Sequence, residues 1–243
     1  TLGAIQDNDL IYDFGVEVSR QLRDLGIHIN FAPVVDVNNN PNNPIIDRRS
    51  FSSNPNLVSS KGLAYMFGLQ ENNVLACAKH FPGHGDTDSD SHKELPVIKH
   101  SKERLDSVEL LPFKMLIKNG LGSVMVAHLN IPSLDKTKNL AVSLSPEVVN
   151  GLLKTELEFK GLVITDALNM KGVSKFYKPG VVDVKALLAG NDVVLFSEDV
   201  PKAIDQIKLA IENGEITQVE VDKRCKKILK SKYWMGLEEF IPL

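Results

Sequence analysis

The sequence predicts an α/β fold of parallel βα units, on three observations. Short apolar runs with no helical face alternate with amphipathic stretches along the whole chain. No turn-rich hairpin region interrupts the alternation. Ionisable residues follow directly on the ends of the apolar runs, where α/β proteins place their ligand-binding loops.

Asp7 or Asp9 is placed to cap a first helix whose apolar face is Leu10, Ile11, Phe14, Val18, Leu22 and Leu25, at three- and four-residue spacing, with Gly26 ending it. Residues 27–37 read as a strand reaching Asp36 at its carboxyl end, with His28 packed at its start. Residues 38–56 form an Asn- and Pro-rich loop too long for a bare connector, which carries Asp47-Arg48-Arg49-Ser50-Phe51. A helix over 57–71 feeds a small apolar strand at 74–79. Ser101 opens a further helical segment that Pro112 restarts or kinks, and Gly120 closes it. Residues 123–127 form the next strand, with His128 at its end. Ser145 and Pro146 suit an N-cap and a first helical position, and the strand at 162–165 has Asp166 at its tip. The last strand spans 192–196. Two helices follow, over 201–213 and 217–230, the second opened by a Thr217–Glu220 capping box.

The chain has 243 residues, 43% hydrophobic and 24% charged, enough for one sizeable core. Its formal net charge of -3 supplies no basic field for nucleic acid or an anionic membrane. Two Cys, Cys77 and Cys225, make no disulfide framework. No apolar stretch approaches the roughly twenty residues of a spanning helix. The start, Thr1-Leu2-Gly3-Ala4, reads as mid-protein sequence, and the compartment stays open between cytoplasm and cell envelope.

The densest chemistry lies in Lys79-His80-Phe81-Pro82-Gly83-His84-Gly85-Asp86-Thr87-Asp88-Ser89-Asp90-Ser91-His92, with three His and three Asp in fourteen residues. A polar surface loop is the bland reading, but six ionisable side chains after one strand weigh against it. A calcium loop on Asp86, Asp88 and Asp90 fails, because Ser91 stands where the turn needs Gly and Val97 where a bidentate Glu belongs. Zinc on His80, His84 and His92 stays open as the basis of a metal-dependent hydrolase. The third reading is acid/base chemistry by His92, with Asp90 fixing its tautomer and stabilising its protonated form.

The same stretch resembles the signature of bacterial β-N-acetylglucosaminidases of glycoside hydrolase family 3. The resemblance implies a (β/α)8 TIM-type barrel of which this chain is roughly the carboxyl-terminal five βα units. The family's third-strand Asp-Gln-Glu-Gly-Gly segment is absent, so the amino-terminal part of the barrel is expected to lie outside the chain. Residues 1–236 would be the catalytic barrel domain and 237–243 the start of a linker or tail, with a further carboxyl-terminal domain as an open possibility.

Gly161-Leu162-Val163-Ile164-Thr165-Asp166 is similar to the family's nucleophile strand, which makes Asp166 the expected nucleophile. On its own an Asp after an apolar strand is as often a helix cap. The resemblance implies His92, with Asp90, as the catalytic acid/base, and Lys79, His80 and Arg49 as the sugar-binding set. Asp47 stands where the family has Gly, which leaves Arg48 as a competitor for the role of Arg49. Asp36 and His128 are expected to line or support the pocket, and His84 to hold the loop. The activity implied is retaining hydrolysis of terminal β-linked N-acetylglucosamine from peptidoglycan-derived saccharides, with no metal and no cofactor. A non-catalytic sugar-binding fragment is the remaining alternative, since two unpaired sheet edges are expected to leave the isolated chain without turnover.

Overall fold

The computed structural model describes residues 2–88 and 94–237. Five strands form one parallel sheet in the order β1-β2-β3-β4-β5, curved into a half-barrel. They are β1 (Ile29–Asn30), β2 (Leu75–Phe81), β3 (Ser123–Val126), β4 (Leu162–Ala167) and β5 (Val193–Leu195). Among the described residues β1 and β5 each pair on one side only.

The helices are α1 (Asn8–Asp24), α2 (Pro55–Glu71), α3 (Lys102–Ser107), α4 (Leu110–Lys118), α5 (Lys171–Ser174), α6 (Val181–Ala189), α7 (Val200–Glu212) and α8 (Gln218–Trp234), and a π-helix spans Glu147–Glu156. Asp7 is the residue that caps α1, its side chain accepting from the Asp9 N–H at 3.0 Å. Asn54 caps α2 with Pro55 in its first turn, and the Thr217–Glu220 capping box forms as expected.

Strand periodicity sorts the sheet into two faces. Ala76, Ala78, Val124, Val126 and Val163 point outward into the main core with Ile11, Met66, Leu69, Phe113 and Leu116 of the covering helices. Leu75, Cys77, Met125, Leu162 and Ile164 point to the concave side, where Met235 packs against them. Helices α1 and α2 approach closely through glycine: a Cβ on Gly68 would lie 2.2 Å from the Tyr12 carbonyl oxygen. Helix α8 crosses beneath the amino ends of the strands. Lys227 ties it to Asp192 before β5 at 2.6 Å, and the Trp234 carbonyl accepts from Asn73 before β2 at 2.7 Å.

Two expectations need correction. The strand expected over 27–37 is regular only at Ile29–Asn30, with one further bridge between Val34 and Lys79. Pro33 has no N–H to give a ladder, and the segment runs on beside β2 through the carbonyls of Ala32 and Pro33. Of the two outcomes expected after Ser101, restart rather than kink is found: the segment is two helices, with Pro112 inside the first turn of α4. Ser145 and Pro146 precede a π-helix rather than an α-helix, the Ser145 hydroxyl accepting from the Val148 N–H at 3.2 Å. Helices α5 and α6 were not anticipated, although Gly180 and Gly190, both at positive φ, bracket α6.

Candidate active site

Periodicity that builds the concave face also aims the chemistry. Lys79 is in phase with Leu75 and Cys77 on β2, and Asp166 is in phase with Leu162 and Ile164 on β4, so both carry the inner face beyond its apolar floor. They meet at the carboxyl ends of the strands, lining a cavity of about 210 Å3 with Arg49, His80 and His84. Phe31, Met125 and Leu195 form its apolar wall. A cavity of about 320 Å3 beneath the amino ends, bordered by Gly120, Lys160, Lys230 and Trp234, brings no such set together.

Asp36 organises the polar side from below. It is fully buried. The His80 Nδ1–H donates to its Oδ2 at 2.7 Å, the His84 backbone N–H to its Oδ1 at 2.7 Å, and the His80 backbone N–H is 3.1 and 3.2 Å from the two oxygens. Burial alone would push this carboxyl up. The His80 ring and the converging N–H donors outweigh it and hold the group below the usual carboxylate range.

His80 passes this constraint on. Arg49 Nη2 lies 3.3 Å from His80 Nε2, and a guanidinium can only donate, so Nε2 accepts and His80 is the Nδ1–H tautomer. Both ring nitrogens are therefore engaged, and His92, the third residue of the zinc set considered with His80 and His84, lies outside the described residues. Arg49 is held further by its Nη1 donating to the Ile45 carbonyl at 3.2 Å.

Asp47 sits at φ 30, in the left-handed region that the Gly it replaces would occupy without strain. The competition expected from Arg48 does not arise: its side chain is 89% exposed and lies 3.7 Å from Asp47, while Arg49 lines the cavity. The Lys79 ammonium stands 5.9 Å from the centre of the Phe31 ring. Burial pushes its pKa down, Arg49 adds to that, and Cys77, Asp166 and Asp36 pull the other way.

Asp166 Oδ1 accepts from the Ala167 N–H at 2.8 Å. His128 is buried behind this strand tip, its Nε2–H donating to the Ala167 carbonyl at 3.0 Å and its Nδ1 2.7 Å from the Ser143 hydroxyl. It supports β4 and does not line the cavity. His84 does both things: its Nδ1 is 2.9 Å from the Thr87 hydroxyl, and its ring closes one side of the cavity. Asp90 and His92 lie outside the described residues.

The sequence pattern of the glycosyl hydrolase family 3 N-terminal domain matches residues 1–231. The chain is 37% identical over 234 residues to β-hexosaminidase A of Pseudoalteromonas piscicida, covering 88% of this chain and 39% of that protein. It is 36% identical to β-hexosaminidase LpqI of Mycobacterium tuberculosis, covering 93% and 58%. Among solved structures, a family 3 β-N-acetylglucosaminidase from Paenibacillus sp. str. FPU-7 superposes with a TM-score of 0.95 at 41% identity, covering 100% of this chain and 46% of that one. The chain thus spans only about half the length of the relatives it matches. With the half-barrel, the lined cavity and these matches in agreement, the chain belongs to glycosyl hydrolase family 3, in the part described as its N-terminal domain.

Proposed function

We propose that the cavity is the sugar site of a retaining glycoside hydrolase that releases terminal β-linked N-acetylglucosamine, and that the half-barrel is five units of a (β/α)8 barrel. The observation that carries this is Asp166 in phase on β4, lining with Arg49 and Lys79 a cavity of about 210 Å3. Relatives named β-hexosaminidase and β-N-acetylglucosaminidase support the substrate class. Peptidoglycan-derived saccharides are the proposed source of the glycoside.

In this mechanism Asp166 attacks the anomeric carbon while His92 protonates the departing oxygen, giving a covalent glycosyl-Asp166. His92, held by Asp90, then takes a proton from water, which opens the intermediate with net retention. Arg49 and Lys79 donate to sugar hydroxyls.

The test is made in the intact protein with an aryl N-acetyl-β-glucosaminide. The β-anomer should appear first by proton NMR, and Asp166→Ala should lower kcat by ~10³-fold or more with an unchanged melting temperature. Retention of a tenth of wild-type kcat, or first release of the α-anomer, would sink the assignment.

A further inference from the structure

Asp86 and His100 face each other across the segment 86–100, the stretch that contains Asp90 and His92. Asp86 Oδ2 is 2.5 Å from His100 Nε2. Behind this pair lies Glu109, whose side chain is 1% exposed. Arg104 Nη1 donates to both Glu109 oxygens at 2.8 and 2.7 Å, and Asn39 donates to Oε1 at 3.2 Å. Glu109 also walls the turn before Asp86, since a Cβ on Gly83 would lie 2.7 Å from the Glu109 Cβ.

The ligand-type atoms of Asp86, His100 and Glu109 all lie within 4.8 Å of one another, a spacing a cation would accept. Arg104 already sits on both Glu109 oxygens, however, and the imidazole on Asp86 Oδ2. A cation would have to displace a guanidinium from a buried carboxylate, and losing one partner of such a pair is costly. The arrangement is that of a strap between two limbs of chain.

We propose that the Asp86–His100 pair, seated on Glu109 and Arg104, fixes the two ends of the segment bearing the proton donor, so that His100 is a positioning residue for His92. This rests on the reading of His92 as that donor. Tying the ends removes loop conformations, and a proton donor displaced by about 1 Å can cost on the order of 10²-fold in rate. The neighbouring ties are consistent with a fixed base: Asn43 donates to the His84 carbonyl at 2.8 Å, and Ile98 N–H to the Asn130 carbonyl at 3.0 Å.

The experiment compares phenyl and dinitrophenyl N-acetyl-β-glucosaminides in the intact enzyme, because the dinitrophenyl leaving group needs little protonation. His100→Ala should lower kcat on the phenyl substrate ~10- to 100-fold and on the dinitrophenyl substrate less than about 3-fold, with KM nearly unchanged on both. His100→Gln keeps an N–H for Asp86 and should recover most of the loss. Equal losses on the two substrates, or no loss, would overturn the strap. So would wild-type enzyme that loses phenyl activity in EDTA and regains it with zinc, which would make the cluster a cation site. His92→Ala run in parallel separates the two readings: if it shows no leaving-group dependence the donor assignment falls and the strap with it. If it shows the dependence and His100→Ala does not, the strap alone falls.

Discussion

Replacing Asp36 by Asn tests how the site is held from below. The substitution keeps the volume and removes the charge. At this position three N–H groups converge, the His80 backbone, the His80 ring and the His84 backbone, at 2.7 to 3.2 Å. An amide has one oxygen to offer, so in either orientation its NH2 meets a donor. The loss comprises a charge-assisted bond, worth about 1.5–3 kcal/mol, and at least one buried donor left unmade, worth about 1–3 kcal/mol. The sum is about 2.5–6 kcal/mol out of a total stability of about 5–15 kcal/mol. Urea denaturation of the intact protein at pH 7 measures it directly. Because the folded-state pKa of Asp36 is depressed, its contribution is present above the unfolded carboxyl pKa of about 3.9 and is lost as pH falls through the lower folded value. The gap between wild type and Asp36→Asn should therefore narrow below about pH 4. A variant within about 1 kcal/mol of wild type at pH 7, or a gap that stays constant into acid, would refute the reasoning.

Three further outcomes follow from the same geometry. Arg49→Leu should raise KM for a GlcNAc glycoside ~10- to 100-fold, the worth of a charge-assisted bond, whereas Arg48→Ala should change it less than about 2-fold; initial rates decide between the two arginines. Gly85→Ala should unfold or grossly misplace the loop, because its Cβ would stand 1.8 Å from the Val37 carbonyl oxygen; a melting temperature near wild type would count against the packing described. His84 is pushed down by burial and His28 likewise, so the unfolded chain binds more protons below its ordinary pKa of about 6.5 and stability rises with pH through that window. His84→Gln should flatten part of that rise in denaturation midpoints taken from pH 5 to 7.

What was legible in the sequence was what strand periodicity and capping chemistry determine. The strand before the signature stretch, the tip position of Asp166 and the capping box at Thr217 needed no long-range information. Asp36 was visible as a strand-end carboxylate. Its grip on His80 and His84 was not, because those partners lie 44 and 48 residues away and converge only once β2 is in place. The Asn-rich loop shows the same limit. Its length marked it as more than a connector, but only the fold reveals that Asn39 reaches Glu109 and Asn43 reaches His84. The first strand is shorter than its apolar content implies, because Pro33 has no donor for the ladder. Helix α6 was missed because Val181, Val182 and Val184 suit a strand as well as a helix. The glycines at its two ends, at φ 85 and 113, held the better signal.

The distribution of charge around the cavity narrows what its carboxylate can do. Two cations, Arg49 and Lys79, and one carboxylate, Asp166, line the described part of it, with Asp36 already spent on His80 and His84 beneath. A group meant to donate a proton would be served badly by such neighbours, since nearby cations favour the ionised form of a carboxyl. A nucleophile is served well by them. Burial and the Arg49 guanidinium push the Lys79 ammonium down, and Cys77, Asp166 and Asp36 oppose them. In the proposed reaction Asp166 acts in its ionised form. Removing the ammonium with Lys79→Met should raise KM for an N-acetylglucosaminide ~10-fold or more, the worth of a charge-assisted bond to a sugar hydroxyl. A KM within about 2-fold of wild type would refute the placement of Lys79 on the sugar.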